Sequence, residues 1–155
     1  MDKREFAQQV DAIKQQLFRM AYLYLNNEAS ALEAVDESVY KAYKALKTLR
    51  EPAYFTTWLT RILINECKKE LKRQNRFSPM DYSPAEEMAE DDYDALPLKE
   101  AIAHLPETLR AVVILRYFAG FTLAETAQTL AIPQGTVVSR QRRALALLKL
   151  DLEEA

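Results

Sequence analysis

Residues 121–148 read FTLAETAQTLAIPQGTVVSRQRRALALL, a segment that carries the signals for two helices joined by a tight turn. Thr122 followed by Glu125 three positions later is the pattern of a capping box, which predicts a helix start. We expect the turn at residues 131–134 and a last helix over residues 135–150. The length and apolar spacing are those of a DNA-binding helix-turn-helix.

The last helix divides into an apolar and a polar face. Val137, Ala144 and Leu148 form an inner stripe, and hydroxyl and guanidinium side chains occupy the adjoining face. A helix that enters the major groove needs this division, because short hydroxyls permit close approach and arginines reach guanine edges or phosphates. A solvated basic face on an ordinary two-helix corner remains the alternative. The candidate DNA-contacting residues are Thr136, Ser139, Arg140, Arg142 and Arg143.

Upstream of this motif, residues 96–104 and 107–119 are predicted as two further helices, and Gly120 supplies a C-terminal stop. Residues 78–94 differ from everything around them, because they contain seven carboxylates, two prolines and neither Lys nor Arg. This composition predicts an acidic flexible linker. Without the linker, the net charge changes from -2 to about +5, so the helical parts of the chain are basic.

The N-terminal half is predicted to form three helices, over residues 3–25, 28–49 and 54–74. Glu51-Pro52 is expected to end the second helix, because the residue before a proline is disfavoured in a helix. One apolar stripe runs along that second helix. Its members are Leu32, Val35, Val39, Ala42 and Leu46.

The third helix changes character halfway along its length. Its first half is apolar and aromatic, with Phe55 and Trp58, and its second half is basic. Aromatic rings beside cations suit unstacked bases of single-stranded DNA, although rings at this spacing also pack in helical cores. The cations are Lys68, Lys69, Lys72, Arg73 and Arg76.

Composition sets the fold class and excludes several functions. Two glycines in 155 residues, among many helix formers, predict an all-α protein of two small helical domains, residues 1–77 and 95–155. The sequence has no phosphate loop, no metal-ligand cluster and no nucleophile-base pair, so we expect no enzyme, cofactor, metal or small-molecule substrate. The chain contains one histidine, His104, and one cysteine, Cys67. A lone cysteine and an N-terminus without an apolar stretch favour the cytoplasm.

Three segments together resemble one family over nearly the whole chain. They are LPETLRAVVILRYFAGFTLAETAQTLAIPQGTVVSRQRRA at residues 105–144, ALEAVDESVYKAYKAL at 31–46 and FTTWLTRILINECKKELKR at 55–73. In this order and at this separation they are similar to the extracytoplasmic-function sigma factors, the smallest members of the sigma-70 family. The resemblance implies a transcription initiation factor with a role such as stress response.

The resemblance also implies partners and residue roles. The N-terminal domain would bind bacterial RNA polymerase core through Glu33, Asp36, Glu37 and Lys41. It would read the minus-ten element as single-stranded DNA, with one base extruded into a pocket. That element would be contacted by Ile62, Asn65, Lys68, Lys69, Lys72, Arg73 and Arg76, with Trp58 supporting the core.

The C-terminal domain would read the minus-thirty-five element as duplex DNA through the residues of the last helix given above. An anti-sigma protein, often membrane-anchored in the family, would hold activity off. Three positions depart from the family pattern: Asp36 stands where Gln is usual, Gln141 where an apolar residue is common, and Val138 where a basic residue often sits.

A free-standing transcriptional regulator is the competing interpretation. It would use the same helix-turn-helix as a dimer, without polymerase. It accounts for residues 96–150 but leaves the basic aromatic helix unexplained. Tight binding to a palindromic duplex by the protein alone would favour it.

Overall fold

The computed structural model describes the backbone of residues 1–77 and 96–154, and every described element is helical. The all-α fold class predicted from the sequence is confirmed. The chain divides into two compact units, Met1–Pro84 and Ala85–Ala155. The predicted linker at 78–94 lies outside the described residues. Within the described ranges, no helix is long and apolar enough to cross a membrane.

Three helices pack against one another in the first unit: α1 (Lys3–Leu25), α2 (Glu28–Lys44) and α3 (Phe55–Phe77). Side-chain caps define two of the helix starts. The Asp2 carboxylate accepts from the Glu5 amide, and the Asn27 side chain accepts from the Ser30 amide, both at 2.8 Å. These bonds satisfy amides that the first turn of a helix leaves without partners.

Helix α2 ends at Lys44, five residues before the predicted end at Leu49. The Thr48 hydroxyl donates to the Ala45 carbonyl at 2.6 Å, and a short 3-10 turn, Leu46–Thr48, replaces the last helical turn. Threonine offers the backbone an alternative to the helical bond, which is the physical reason for the early end. The predicted core position Leu32 is also wrong, since it is 49% exposed.

The buried face of α2 is made of small residues. Val35 and Ala42 are buried as predicted, and Ala31, Ala34 and Ser38 are buried beside them, whereas the predicted Val39 and Leu46 are half-buried. Small side chains allow α1 and α3 to approach α2 closely, and the larger residues of those two helices fill the core. The largest fully buried side chains of this unit include Leu17, Met20, Tyr24, Phe55, Leu59 and Leu63.

The second unit contains α4 (Leu96–His104), α5 (Glu107–Val113), α6 (Leu123–Leu130) and α7 (Gln134–Glu154). The predicted single helix over 107–119 continues beyond α5 as a π-helical segment, Ile114–Phe118. Its wider bonding is visible where the Ala119 amide donates to the Ile114 carbonyl at 2.9 Å. Gly120, with φ +72°, then ends the segment as predicted.

The helix-turn-helix consists of α6, a turn and α7. The predicted capping box is present, because Thr122 and Glu125 exchange backbone and side-chain hydrogen bonds. Ala131 adopts a left-handed conformation with φ 56°, which turns the chain out of α6. Helix α7 begins at Gln134 and extends to Glu154, beyond the end predicted at Leu150.

Candidate nucleic-acid interface

Helix α3 presents one buried and one open face. Phe55, Leu59, Leu63 and Cys67 are buried in the first unit. Because a helix turns once every ~3.6 residues, Asn65 lies on the opposite side, where it is exposed. The structure places the predicted minus-ten residues around Asn65 on this side. Ile62 and Lys68 are half-buried there, whereas Lys69, Lys72, Arg73 and Arg76 are exposed.

Trp58 lies two helical turns before Asn65, on the same side of α3. It is half-buried, and its ring packs against Phe55 with 6.0 Å between centroids. Phe55 in turn meets Phe6 edge-on at 5.7 Å. The Trp58 ring therefore packs against the aromatic part of the core of the first unit.

Two carboxylates on α3, Glu66 and Glu70, form ion pairs with two cations of the basic face, a role not predicted from the sequence. The Arg73 guanidinium donates to both carboxylate oxygens of Glu70, at 2.6 and 3.0 Å, and Lys69 lies 3.6 Å from Glu66. The hydrogen bond from Arg73 lowers the pKa of Glu70 and raises the pKa of Arg73. Both pairs are three residues apart, a spacing that the sequence does contain.

The predicted polymerase-binding residues of α2 have two different environments. Glu33, Asp36 and Glu37 are exposed and line a cleft of about 490 Å³ between α2 and α3. Lys41 is instead tied to α3, because its amine donates to Glu66, and this bond raises the pKa of Lys41. The cleft brings the acidic face of α2 next to Lys69 and Arg73.

Helix α7 presents the predicted minus-thirty-five residues to solvent. Val137, Ala144 and Leu148 are buried as predicted, and they fix the rotation of the helix. Ser139, Arg142 and Arg143 are exposed, whereas Thr136 and Arg140 are half-buried. The Ser139 hydroxyl donates to the Gly135 carbonyl at 3.1 Å, so its oxygen remains an acceptor toward a ligand.

Arg116, in the π-helical segment, braces this recognition surface. Its Nε donates to Gln141 Oε1 at 2.8 Å, and its guanidinium also donates to the Phe121 carbonyl. Gln141 stands where an apolar residue is common in the family that this sequence resembles. Here its amide joins α7 to the segment before the helix-turn-helix.

The two remaining reactive side chains are Cys67 and His104. Cys67 is fully buried, and burial raises the pKa of its thiol to about 12. His104 lies at the end of α4, with Nδ1 3.3 Å from an Asp151 carboxylate oxygen. Among the residues that the structure describes, no group of His, Cys, Asp and Glu could hold a metal ion.

Comparison with protein families matches both halves of the chain. The family described as Sigma-70 region 2 matches residues 10–77, and the family described as Sigma-70, region 4 matches residues 101–150. The first range covers most of α1 with α2 and α3, and the second extends from within α4 into α7.

Two sigma factors match nearly the full length of this chain. RNA polymerase sigma factor SigV of Bacillus subtilis is 33% identical over 142 residues, covering 90% of this chain and 86% of SigV. ECF RNA polymerase sigma factor SigM of Mycobacterium tuberculosis is 30% identical over 150 residues, covering 95% of this chain and 76% of SigM.

Two solved structures share the fold. The sigma factor RpoE of Bartonella quintana, in complex with the anti-sigma factor NepR, has a TM-score of 0.86 at 22% identity, covering 97% of this chain and 98% of its own. CnrH in complex with the cytosolic domain of CnrY has a TM-score of 0.74 at 21% identity, covering 99% and 90%.

Proposed function

The chain belongs to the sigma-70 family as an extracytoplasmic-function RNA polymerase sigma factor, and from this premise we propose which of its surfaces meet promoter DNA and polymerase. Such a factor directs transcription initiation and is not an enzyme. A free-standing regulator would require only the helix-turn-helix, whereas the family matches cover residues 10–77 as well as 101–150. The regulator is therefore set aside.

The two units would divide the promoter between them. We assign the minus-ten element to α3 and the minus-thirty-five element to α7. The observation that carries this assignment is that each helix has a buried stripe on one side and cations on the other, centred on Asn65 and Arg143 respectively. Each basic surface is therefore held in a fixed orientation by a core.

The side-chain chemistry supports different tasks for the two helices. On α3, the exposed Asn65 amide can donate and accept at the edge of an unpaired base, and the cations beyond it suit the backbone of an opened strand. On α7, Arg142 and Arg143 have the length and geometry to reach guanine edges in duplex DNA. Thr136 and Arg140, closer to the protein body, suit phosphates.

Initiation with purified components tests this assignment. Wild-type protein, Asn65→Ala and Arg143→Ala are each mixed with bacterial core polymerase and a library of promoter fragments. Both variants should lower specific initiation by about 5- to 150-fold, because a lost base contact costs ~1–3 kcal/mol. Arg19→Ala, an exposed arginine on α1, is the control for loss of charge. Unchanged initiation by either site variant would remove that helix from the interface.

Polymerase core would dock on the acidic face of α2, through Glu33, Asp36 and Glu37. These carboxylates are exposed on the cleft wall and leave room for a basic partner surface. Lys41 would contribute by holding α2 and α3 together through Glu66. Asp36→Lys should weaken the affinity for core polymerase measured by fluorescence anisotropy, whereas Glu51→Lys, on the loop before α3, should not. Equal affinities would refute this docking face.

An anti-sigma protein would regulate the chain in the cytoplasm, where polymerase works. Exposed apolar side chains on α7 offer it a surface, among them Leu145, Leu147 and Leu150. If so, tagged protein isolated from its own cells should carry the anti-sigma partner, and Leu150→Ser should reduce that partner while polymerase core is retained. Recovery of polymerase alone by the wild type would count against this regulation.

A further inference from the structure

Glu66 and Glu70 occupy the boundary between the basic face of α3 and the cleft wall. Their side chains are 11% and 16% exposed, whereas the paired cations Lys69 and Arg73 are 69% and 57% exposed. The carboxylates are thus anchored in the protein, and the cations reach out to solvent. This arrangement differs from an ordinary surface ion pair, in which both partners are free to move.

Contacts with α2 and within α3 fix both carboxylates. Lys41 on α2 donates to the same Glu66 oxygen that lies 3.6 Å from Lys69. The Gln74 amide donates to Glu70 at 3.1 Å and to the Ser30 hydroxyl of α2 at 2.7 Å. Glu66 and Glu70 therefore keep their positions whether or not Lys69 and Arg73 stay with them.

Phosphate and carboxylate compete for the same donors on these cations. Arg73 already uses two N–H groups in a forked contact with Glu70, a geometry that it would also use for a phosphate. Arg73 must therefore release Glu70 before the same edge of its guanidinium can make a forked contact with a DNA phosphate. In the described part of the chain, Lys68, Lys72 and Arg76 form no ion pair, so they need no such exchange.

We infer that Glu66 and Glu70 are internal competitors of promoter DNA, which hold Lys69 and Arg73 until strand phosphates displace them. The inference rests on the assignment of α3 to the opened minus-ten strand. Its consequence is that two of the five basic contacts on α3 add little affinity for DNA in general. They contribute only when the strand is placed close enough to replace the carboxylates, which disfavours unspecific binding.

Neutral variants of the two carboxylates test the competition. Glu66→Gln and Glu70→Gln keep the side-chain shape and one amide oxygen, and they are compared in complex with core polymerase. The affinity for a fluorescent single-stranded minus-ten oligonucleotide should rise about threefold for each, because the cations are exposed to solvent and their ion pairs are correspondingly modest in strength. The salt dependence should also steepen by up to ~0.7 per freed cation. Glu51→Gln is the control for loss of one negative charge elsewhere in the unit.

Double variants separate competition from a general charge effect. Glu66→Gln should no longer tighten binding in a Lys69→Gln background, nor Glu70→Gln in an Arg73→Gln background. An equal gain with and without the cation would overturn the inference, and so would the absence of any gain. The two pairs are independent tests, so loss of folding in Glu66→Gln, detected by circular dichroism, leaves the Glu70 pair decisive.

The single cation variants distinguish failure of the inference from failure of the assignment. If Lys69→Gln and Arg73→Gln weaken DNA binding while the glutamate variants do not tighten it, only the competition is refuted. If the cation variants bind DNA as tightly as the wild type, α3 does not contact the strand through them. The minus-ten assignment of these two residues then fails, and the competition fails with it.

Discussion

Ala131 shows how a single residue can carry strain in the turn of the helix-turn-helix. Its φ of 56° and ψ of 46° lie in the left-handed region, which a Cβ atom disfavours by ~1–2 kcal/mol. The Ile132 amide still donates to the Ala127 carbonyl at 3.0 Å, so the turn forms a regular helix end despite the side chain. The surrounding bonds impose the conformation on this residue.

Replacement of Ala131 by glycine should therefore stabilise the protein. We expect the free energy of unfolding to rise by about 0.5–1 kcal/mol, since relief of the strain exceeds the entropy that glycine adds to the unfolded chain. Urea denaturation followed by circular dichroism measures this change. Ala146→Gly, at an exposed position inside α7, is the matched control and should lower stability by about 0.5–1 kcal/mol. A similar loss in both variants would show that Ala131 is unstrained.

Cys67 illustrates how burial removes chemical reactivity. Its side chain is 0% exposed, and burial raises the pKa of the thiol to about 12, so the nucleophilic thiolate is scarce near neutral pH. At pH 8, we expect an alkylating reagent to modify Cys67 only as fast as the first unit opens. The unfolded protein in denaturant should react at once. Rapid modification of the native protein would contradict the buried placement.

At the scale of elements, features set by residues close in sequence could be predicted. Features that depend on packing between helices could not. The Thr122–Glu125 capping box and the Gly120 stop could be identified because each involves neighbours along the chain. The ion pairs within α3 had a recognisable spacing. The role of Glu66 nevertheless depends on Lys41, which is 25 positions away in sequence and meets it only after α2 and α3 pack.

The π-helical segment was missed for the same reason. Its apolar pattern over 107–119 fits a regular α-helix, and no glycine or proline interrupts it before Gly120. The wider turn accompanies a local bond from Arg116 to the Phe121 carbonyl and a tertiary bond from Arg116 to Gln141, 25 positions away in sequence. Segments of this kind are frequent at functional sites, and this one precedes the helix-turn-helix directly.

Loss of the Arg116 side chain should disturb the element that it braces. Arg116→Ala leaves the Gln141 and Phe121 acceptors without this donor, so we expect a loss of about 1–2 kcal/mol in the stability of the second unit. Affinity for minus-thirty-five duplex, measured with polymerase present, should fall as α7 becomes less firmly held. Arg142→Ala should weaken DNA binding while changing stability by less than about 0.5 kcal/mol. Unchanged stability of Arg116→Ala would rule out the brace.

At the scale of the whole molecule, the location of the charges is more informative than the net charge. The net charge is -2, yet α3 and α7 each carry a cluster of cations on an open face. The seven carboxylates of residues 78–94 offset these cations, which is why the net charge is negative. If α3 and α7 contact DNA as proposed, this distribution would supply phosphate contacts locally without a large excess of positive charge, which limits attraction to nucleic acid in general.

The two units each have a core of their own, with Ile64 fully buried in the first and Ile114 fully buried in the second. We therefore expect two unfolding transitions, which the single Trp58 can separate because it reports on the first unit alone. Ile64→Val should lower the stability seen by tryptophan fluorescence by about 0.5–1.5 kcal/mol. Ile114→Val should leave that signal unchanged and shift only the remaining transition in circular dichroism. If Ile114→Val shifts the fluorescence transition as well, the units unfold together and the proposed division into two domains must be given up as a thermodynamic description.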